Sequence, residues 1–305
     1  MTTMSLDSIE EHYTTEPPRI VIHGPHGIGK TTFGASAPNS VLLPIEKGLA
    51  GIRVKKFPRA RSYGAVMQAL DTLLNTDHAY GALIVDTLDW LEPLVWSHTA
   101  FMGGKTDIED FGYGKGYKKA DEYWIEFLEK LTQLQELKGM VIILIAHTAI
   151  KKFDAPDTDA YDRYVMKLHD RASALVAEWA DVIGFAHMET ITVTKGEGMA
   201  KSTKGQTSGQ RVLSVEERPA FQAKNRYGMP PEIPFPKVGA WDVFVAAITG
   251  AYTAPPVIQE PEPDVEIVDD LPFLENGELQ RIDALPESDE TAHHDVALEA
   301  AIQES

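Results

Sequence analysis

The segment Gly24-Pro25-His26-Gly27-Ile28-Gly29-Lys30-Thr31 constrains this chain more than any other stretch. It fits the spacing G-x-x-x-x-G-K-[ST] at every fixed position and stands directly behind the apolar run Ile20-Val21-Ile22. A strand, a glycine-rich turn and helix-compatible residues in that order aim backbone N–H groups into one concavity, and the ligand such a concavity takes is a polyphosphate. Gly24, Gly27 and Gly29 permit conformations and close approaches that a Cβ would obstruct. Gly24, Pro25, His26, Gly27, Ile28, Gly29, Lys30, Thr31 and Thr32 therefore form the expected cradle. Lys30 is expected to reach the β- and γ-phosphates, and the Thr31 hydroxyl to ligate Mg²⁺.

Around this motif, apolar runs of strand length alternate with stretches of helical period, which is the pattern of an α/β sheet with crossover helices. The strands read as 19–23, 40–45, 82–86 and 141–146, the last apolar on both sides as suits a central parallel strand. A short helix ended by Pro38 follows the first strand. Amphipathic helices are expected at 61–76 and 120–138, with Gly139 breaking the second. Beyond His147 a polar loop (148–166) and a helix carrying Ala172, Leu175, Val176 and Trp179 are expected. Antiparallel strands at 182–194 and 211–215 follow, joined by a mobile connection from Lys195 to Gln210. The fold class is α/β: a P-loop NTPase with a mainly parallel sheet, helices on both faces and antiparallel strands toward the C-terminal end.

Composition narrows the class further. The 305 residues hold 28 Lys+Arg against 46 Asp+Glu, a net charge of −18, which excludes a generally basic nucleic-acid coat. The charge is unevenly spread: 254–305 carry fifteen acids and one base, Arg281, leaving the preceding residues near neutrality. That segment, rich in Pro, Glu and Asp, cannot bury enough apolar area to offset its ordering entropy and reads as a disordered acidic tail. The expected organisation is a polar extension (1–18), one domain (19–253) and the tail. With no cysteine, disulfides and thiolate metal sites are excluded. His293-His294 lack a ligand spacing, so nucleotide-bound Mg²⁺ is the metal implied. A polar start and no apolar run of membrane length read as a soluble, intracellular protein.

Phosphate chemistry needs further groups. Ala82-Leu83-Ile84-Val85-Asp86 is an apolar strand ending in a carboxylate, the Walker B pattern, and Asp86 is expected on the metal. Two carboxylates compete to orient the attacking water: Glu46, following the second strand, and Asp89, for which an N-terminal helix cap is the plainer explanation. Glu46 is preferred. His147 ends the next strand, where a polar side chain senses a γ-phosphate; a hydrogen-bonded strand-end histidine is the alternative.

The run Ile22 to Thr31, the phrase Val85-Asp86-Thr87-Leu88-Asp89-Trp90-Leu91-Glu92-Pro93, the segment Phe111-Gly112-Tyr113-Gly114-Lys115-Gly116-Tyr117 and the box Lys224-Asn225-Arg226-Tyr227-Gly228 together resemble phage-type RecA-like ATP-binding proteins, including single-strand-annealing recombinases with a RecA/RadA core. The similarity covers about 19–250. It implies a RecA-like fold, ATP and Mg²⁺, ATP hydrolysis, and work on single-stranded DNA in recombination or replication, as a phage-encoded protein in a host cytoplasm and a possible homo-oligomer. Lys30, Glu46 and His147 then take catalytic roles, Thr31 and Asp86 the metal, and Lys224 and Arg226 a DNA-linked role.

Three stretches pair cations with aromatics, as single-strand sites do. They are Lys105 to Lys119, with Lys115, Lys118, Lys119, Tyr113 and Tyr117; Lys151-Lys152-Phe153; and Lys195 to Arg211, with Lys195, Lys201 and Lys204. The tail's Asp269-Asp270-Leu271-Pro272-Phe273 is similar to the acidic tip of single-strand-binding proteins, which implies a replication or single-strand-binding partner; a solubilising tail is the plainer reading. Two other function classes fit the motifs: a nucleotide-switched binding module such as a helicase loader, and a small-molecule P-loop kinase. The kinase reading lacks a compact Arg-bearing lid.

Overall fold

The computed structural model describes residues 16–48, 51–154, 159–195 and 202–253, the side chains of 190–195 and 202–207 excepted. The polar leader up to residue 15, Lys201 and the acidic segment 254–305 lie outside the described residues. In chain order the elements are β1 (Arg19–Gly24), α1 (Lys30–Ala35), β2 (Ser40–Pro44), β3 (Lys55–Lys56), α2 (Tyr63–Asn75), β4 (Ala82–Asp86) and α3 (Leu88–Met102). A 3₁₀ turn (Ile108–Phe111) follows, then α4 (Lys115–Lys138), β5 (Val141–Phe153), β6 (Tyr161–Met166), α5 (Asp170–Trp179), β7 (Val182–Lys195), β8 (Ser202–Ser214), β9 (Lys224–Asn225), β10 (Glu232–Pro234) and α6 (Ala240–Ile248).

The strands form one sheet in the order β10-β8-β7-β1-β5-β4-β2-β3, with β6 added to β5 and β9 to β7. From β7 to β3 the neighbours are parallel, while β8, β10, β9 and β6 pair antiparallel. This is the mainly parallel sheet with antiparallel strands toward the C-terminal end that the alternating pattern predicts. Strand periodicity divides the apolar residues between two layers. Val21, Leu43, Val85 and Leu144 face α2, α3, α4 and α5, whereas Ile22, Leu42, Ile84 and Ile145 face α1 and α6. Phe33 anchors the second layer, its ring 5.4 to 5.5 Å from those of Phe235, Trp241 and Phe244.

Three expectations are corrected. Residues 148–166 are not a polar loop: β5 continues to Phe153 and β6 returns against it, pairing Thr148 with Met166 and Phe153 with Tyr161. The ribbon projects past the sheet and is partly solvated on both faces, so its hydrophobic alternation is diluted. The stretch from Lys195 to Gln210 is not all connection, because β8 starts at Ser202 and pairs as far out as Lys195↔Ser202. The helix expected at 120–138 begins at Lys115, after Gly114 in the left-handed region (φ 68°), so Lys115, Lys118 and Lys119 stand on its first turns.

Register decides what meets at the sheet edge. Because β5 is inserted between β1 and β4, the four strand ends carrying polar groups lie side by side, with Gly24↔His147, Asp86↔Ile145 and Pro44↔Asp86 in register. The N–H groups of Ile45 and Glu46 both donate to the Asp86 carbonyl, at 2.7 and 3.2 Å, which fixes the exit of β2 beside Asp86. Both antiparallel ribbons, β5–β6 and β7–β8, extend beyond this same edge.

Candidate functional site: a phosphate cradle at the strand ends

The loop from Gly24 to Gly29 leaves β1 at the edge just described. Gly24 is required by close approach: a Cβ there would lie 2.3 Å from the Ala186 carbonyl oxygen of β7. Gly29 is required by conformation, with φ +113°, where an L side chain is strained. Lys30 is buried, and its Nζ donates to the loop's own Gly24 and Pro25 carbonyls at 2.7 and 2.9 Å. Burial pulls its ammonium down to about 8, against the opposing pull of Asp86, Asp89 and Glu46. The pocket thus suits negative charge, since an anion beside the ammonium would offset the cost of its burial and favour the charged form further.

Thr31 and Asp86, far apart in sequence, meet here. The Thr31 hydroxyl donates to Asp86 Oδ2 at 2.8 Å. The other oxygen, Asp86 Oδ1, is buried and has no hydrogen-bond partner among the described residues. Burial lifts this carboxyl above its ordinary range despite the Thr31 bond and the Lys30 charge. A buried carboxylate oxygen without a donor, next to a hydroxyl, suits a hard divalent cation with oxygen ligands. The residues therefore fit Mg²⁺.

Glu46 lies across Asp86, its Oε2 accepting from Thr87 Oγ1 at a long 3.5 Å. Burial raises its carboxyl, and the neighbouring Asp86 charge acts the same way. Asp89 is differently employed. Its carboxylate accepts from the His147 backbone N–H at 3.0 Å and from His147 Nδ1 at 2.9 Å. Burial opposes its charged form, yet the His147 bonds outweigh that and hold the carboxyl below its ordinary range. Of the two competing carboxylates, Asp89 is committed to His147 and Glu46 is the less engaged.

A group that sequence reading did not connect with the cradle is Arg211. From β8 its Nη1 donates to the Ile28 carbonyl at 2.8 Å, against the turn that carries Gly29. No local signal marks it, because the contact spans 183 residues.

The described cations expected on nucleic acid fall at four places in the fold. Lys151 and Lys152 stand on β5 beyond the edge, Lys152 exposed and Lys151 bonded to the Leu168 carbonyl and to Asp170 at 2.8 and 2.6 Å. The backbone of Lys195 and Lys204 lies on the outer part of the β7–β8 ribbon. Lys115, Lys118 and Lys119 are exposed at the start of α4, where Tyr117 stacks 4.3 Å from His169, which caps α5. Lys224 and Arg226 lie elsewhere. Asn225 pairs with Val182 at the start of β7, the edge opposite the cradle. Lys224 Nζ donates to the Ala177 and Glu178 carbonyls at 2.7 and 3.0 Å, and Arg226 Nη1 to Asp181 at 3.1 Å. These bonds complement the C-terminus of α5 and a carboxylate, on the edge away from this chain's own Gly24–Gly29 loop.

Among the described residues no helix is long and apolar enough to cross a membrane. The AAA domain family matches residues 16–227. No curated protein matches the chain.

Proposed function

The chain belongs to the AAA domain family, and from that premise we propose that it is a Mg²⁺-dependent, RecA-like ATPase that binds single-stranded DNA beside its nucleotide and serves annealing, recombination or replication. The observation that carries the ATPase reading is the Thr31–Asp86 junction with its unpartnered buried oxygen, one residue from the Lys30 ammonium. Lys30 would exchange its loop carbonyls for phosphate oxygens, and Thr31 and Asp86 would hold the cation. Mg²⁺, when bound, supplies neutralisation of phosphate charge. Burial and the Asp86 charge raise the Glu46 carboxyl, which makes it a stronger base, and from its place after β2 it orients the attacking water. The proposed DNA contact comes from Lys115, Lys118, Lys119, Lys151, Lys152, Lys195, Lys201 and Lys204. What supports it is that the described ones share the sheet edge of the cradle, so that one ligand's binding is felt by the other.

A titration of ATP hydrolysis with single-stranded oligonucleotide tests the reading on wild type and Lys30→Ala. The expected result is stimulation in the first and a rate at least about 100-fold lower in the second. A second reading, a nucleotide-switched module with incidental turnover, is favoured by the bonds of Lys30 to its own loop carbonyls, which it would have to give up to reach a phosphate. Hydrolysis unaffected by DNA, with DNA binding still ATP-dependent, would select it.

A further inference from the structure

His26, in the third position of the cradle, lies with its ring centroid 3.7 Å from that of His147 and an interplanar angle of 28°. The partners are unequal: His147 is buried and His26 is exposed. His147 is braced from behind by Asp89, which accepts from both its backbone N–H and its Nδ1. A carboxylate on Nδ1 fixes the tautomer and leaves Nε2 as the free ring nitrogen. Among the described residues no hydrogen bond reaches the His26 imidazole, whose contact is the stack. Gly24↔His147 register sets both rings beside the loop carbonyls on which Lys30 rests.

We propose that the His26–His147 stack is the element that selects a nucleoside triphosphate over a diphosphate, gripping the terminal phosphate with a proton taken up as it binds. This rests on the nucleotide-binding reading above and names what discriminates within that site. Two stacked imidazoles at this separation cannot both be charged without an anion, because each cation disfavours the other. Accordingly His26 is held below its ordinary range, first by His147, then by desolvation and by Lys30. The other charged groups facing the pair are Lys167 at the end of β6, Asp89 on α3, Asp86 at the end of β4 and Glu46 after β2. Lysines and carboxylates are thus mixed around it, and a γ-phosphate adds the charge that tips the pair to its protonated form. A diphosphate, one phosphate shorter, brings no such charge to the stack.

The sign follows from linkage. Binding raises the imidazole pKa, so the preference for ATP is full at low pH and is lost as pH rises through the value in the complex. The test is competition of ATP and ADP against a fluorescent ADP analogue in saturating Mg²⁺, read before turnover, at pH 6 and pH 8. In wild type the ATP-to-ADP affinity ratio should fall about tenfold between these conditions, one linked proton's effect. In His26→Gln the ratio at pH 6 should already be low and most of the fall should vanish. The same fall in His26→Gln, or a wild-type ratio that ignores pH, overturns the proposal while leaving the nucleotide site intact. Failure of both nucleotides to compete overturns the nucleotide-binding reading itself, and the grip with it.

Discussion

Glu92 shows what a single buried charge does in this protein. It sits on α3, 7% exposed, and accepts the His169 backbone N–H at 2.8 Å. Burial lifts its carboxyl to about 7, opposed by the His169 bond and the Lys151 charge. The fold therefore prefers the neutral form: stability is undiminished below the ordinary value of 4.5 and is lost as pH rises through about 7. Glu92→Gln keeps the carbonyl acceptor and removes the charge. It should stabilise the protein by about 1–3 kcal/mol at pH 8 and by little at pH 4.5, measured by denaturant unfolding at both pH values. A gain of equal size at the two pH values would refute the charge argument. His23 is the neutral counterpart: Nε2 donates to the Gln222 carbonyl, Nδ1 accepts from Thr148, and burial brings it down to about 4. Its place on β1 beside the loop is legible in the sequence, but its role as a tie between β1, β5 and the segment before β9 is not, because its partners are 125 and 199 residues away.

At the scale of elements, Asp181 joins three of them. Between α5 and β7 it accepts from Arg19 Nε and Nη2 of β1 at 3.0 and 2.8 Å, and from Arg226 after β9 at 3.1 Å. Arg19 also lies over the Trp179 ring, 5.3 Å from its centroid. Burial disfavours the Asp181 charge, but the Arg19 bonds outweigh it and the carboxyl titrates below its ordinary range. Such a depressed acid stabilises the fold above its unfolded pKa, and the contribution is lost as pH falls through the folded value. Asp181→Asn should cost about 2–4 kcal/mol at pH 7 and clearly less in acid, read as the difference in unfolding midpoints. A cost independent of pH would assign the loss to packing instead. Helices with a clear apolar stripe were readable from sequence, as the Val66, Met67, Leu70 and Leu73 face of α2 illustrates. The outer half of β5 was not, since Lys151 and Lys152 interrupt its pattern where the ribbon leaves the core.

For the whole molecule the governing quantity is where charge lies. The chain carries −18, yet its cations at the cradle edge occur on two ribbons and one helix start. If the β7–β8 ribbon contacts DNA, reversing Lys195, Lys201 and Lys204 to Glu should weaken single-strand binding. It should also flatten the slope of log affinity against log salt by about 2, at ~0.7 per lost phosphate contact. Fluorescence anisotropy over a salt series measures both, and unchanged isotherms would remove the ribbon from the site. The sequence by itself determined the cradle, the Asp86 strand and the parallel α/β order, because glycine spacing and apolar periodicity are local properties that each segment carries alone. Only the tertiary structure decided that Asp89 belongs to His147, that Arg211 braces the loop, and that Lys224 and Arg226 close the far edge. Those partnerships depend on strand order and register, which bring together residues tens to hundreds of positions apart through contacts no single segment encodes.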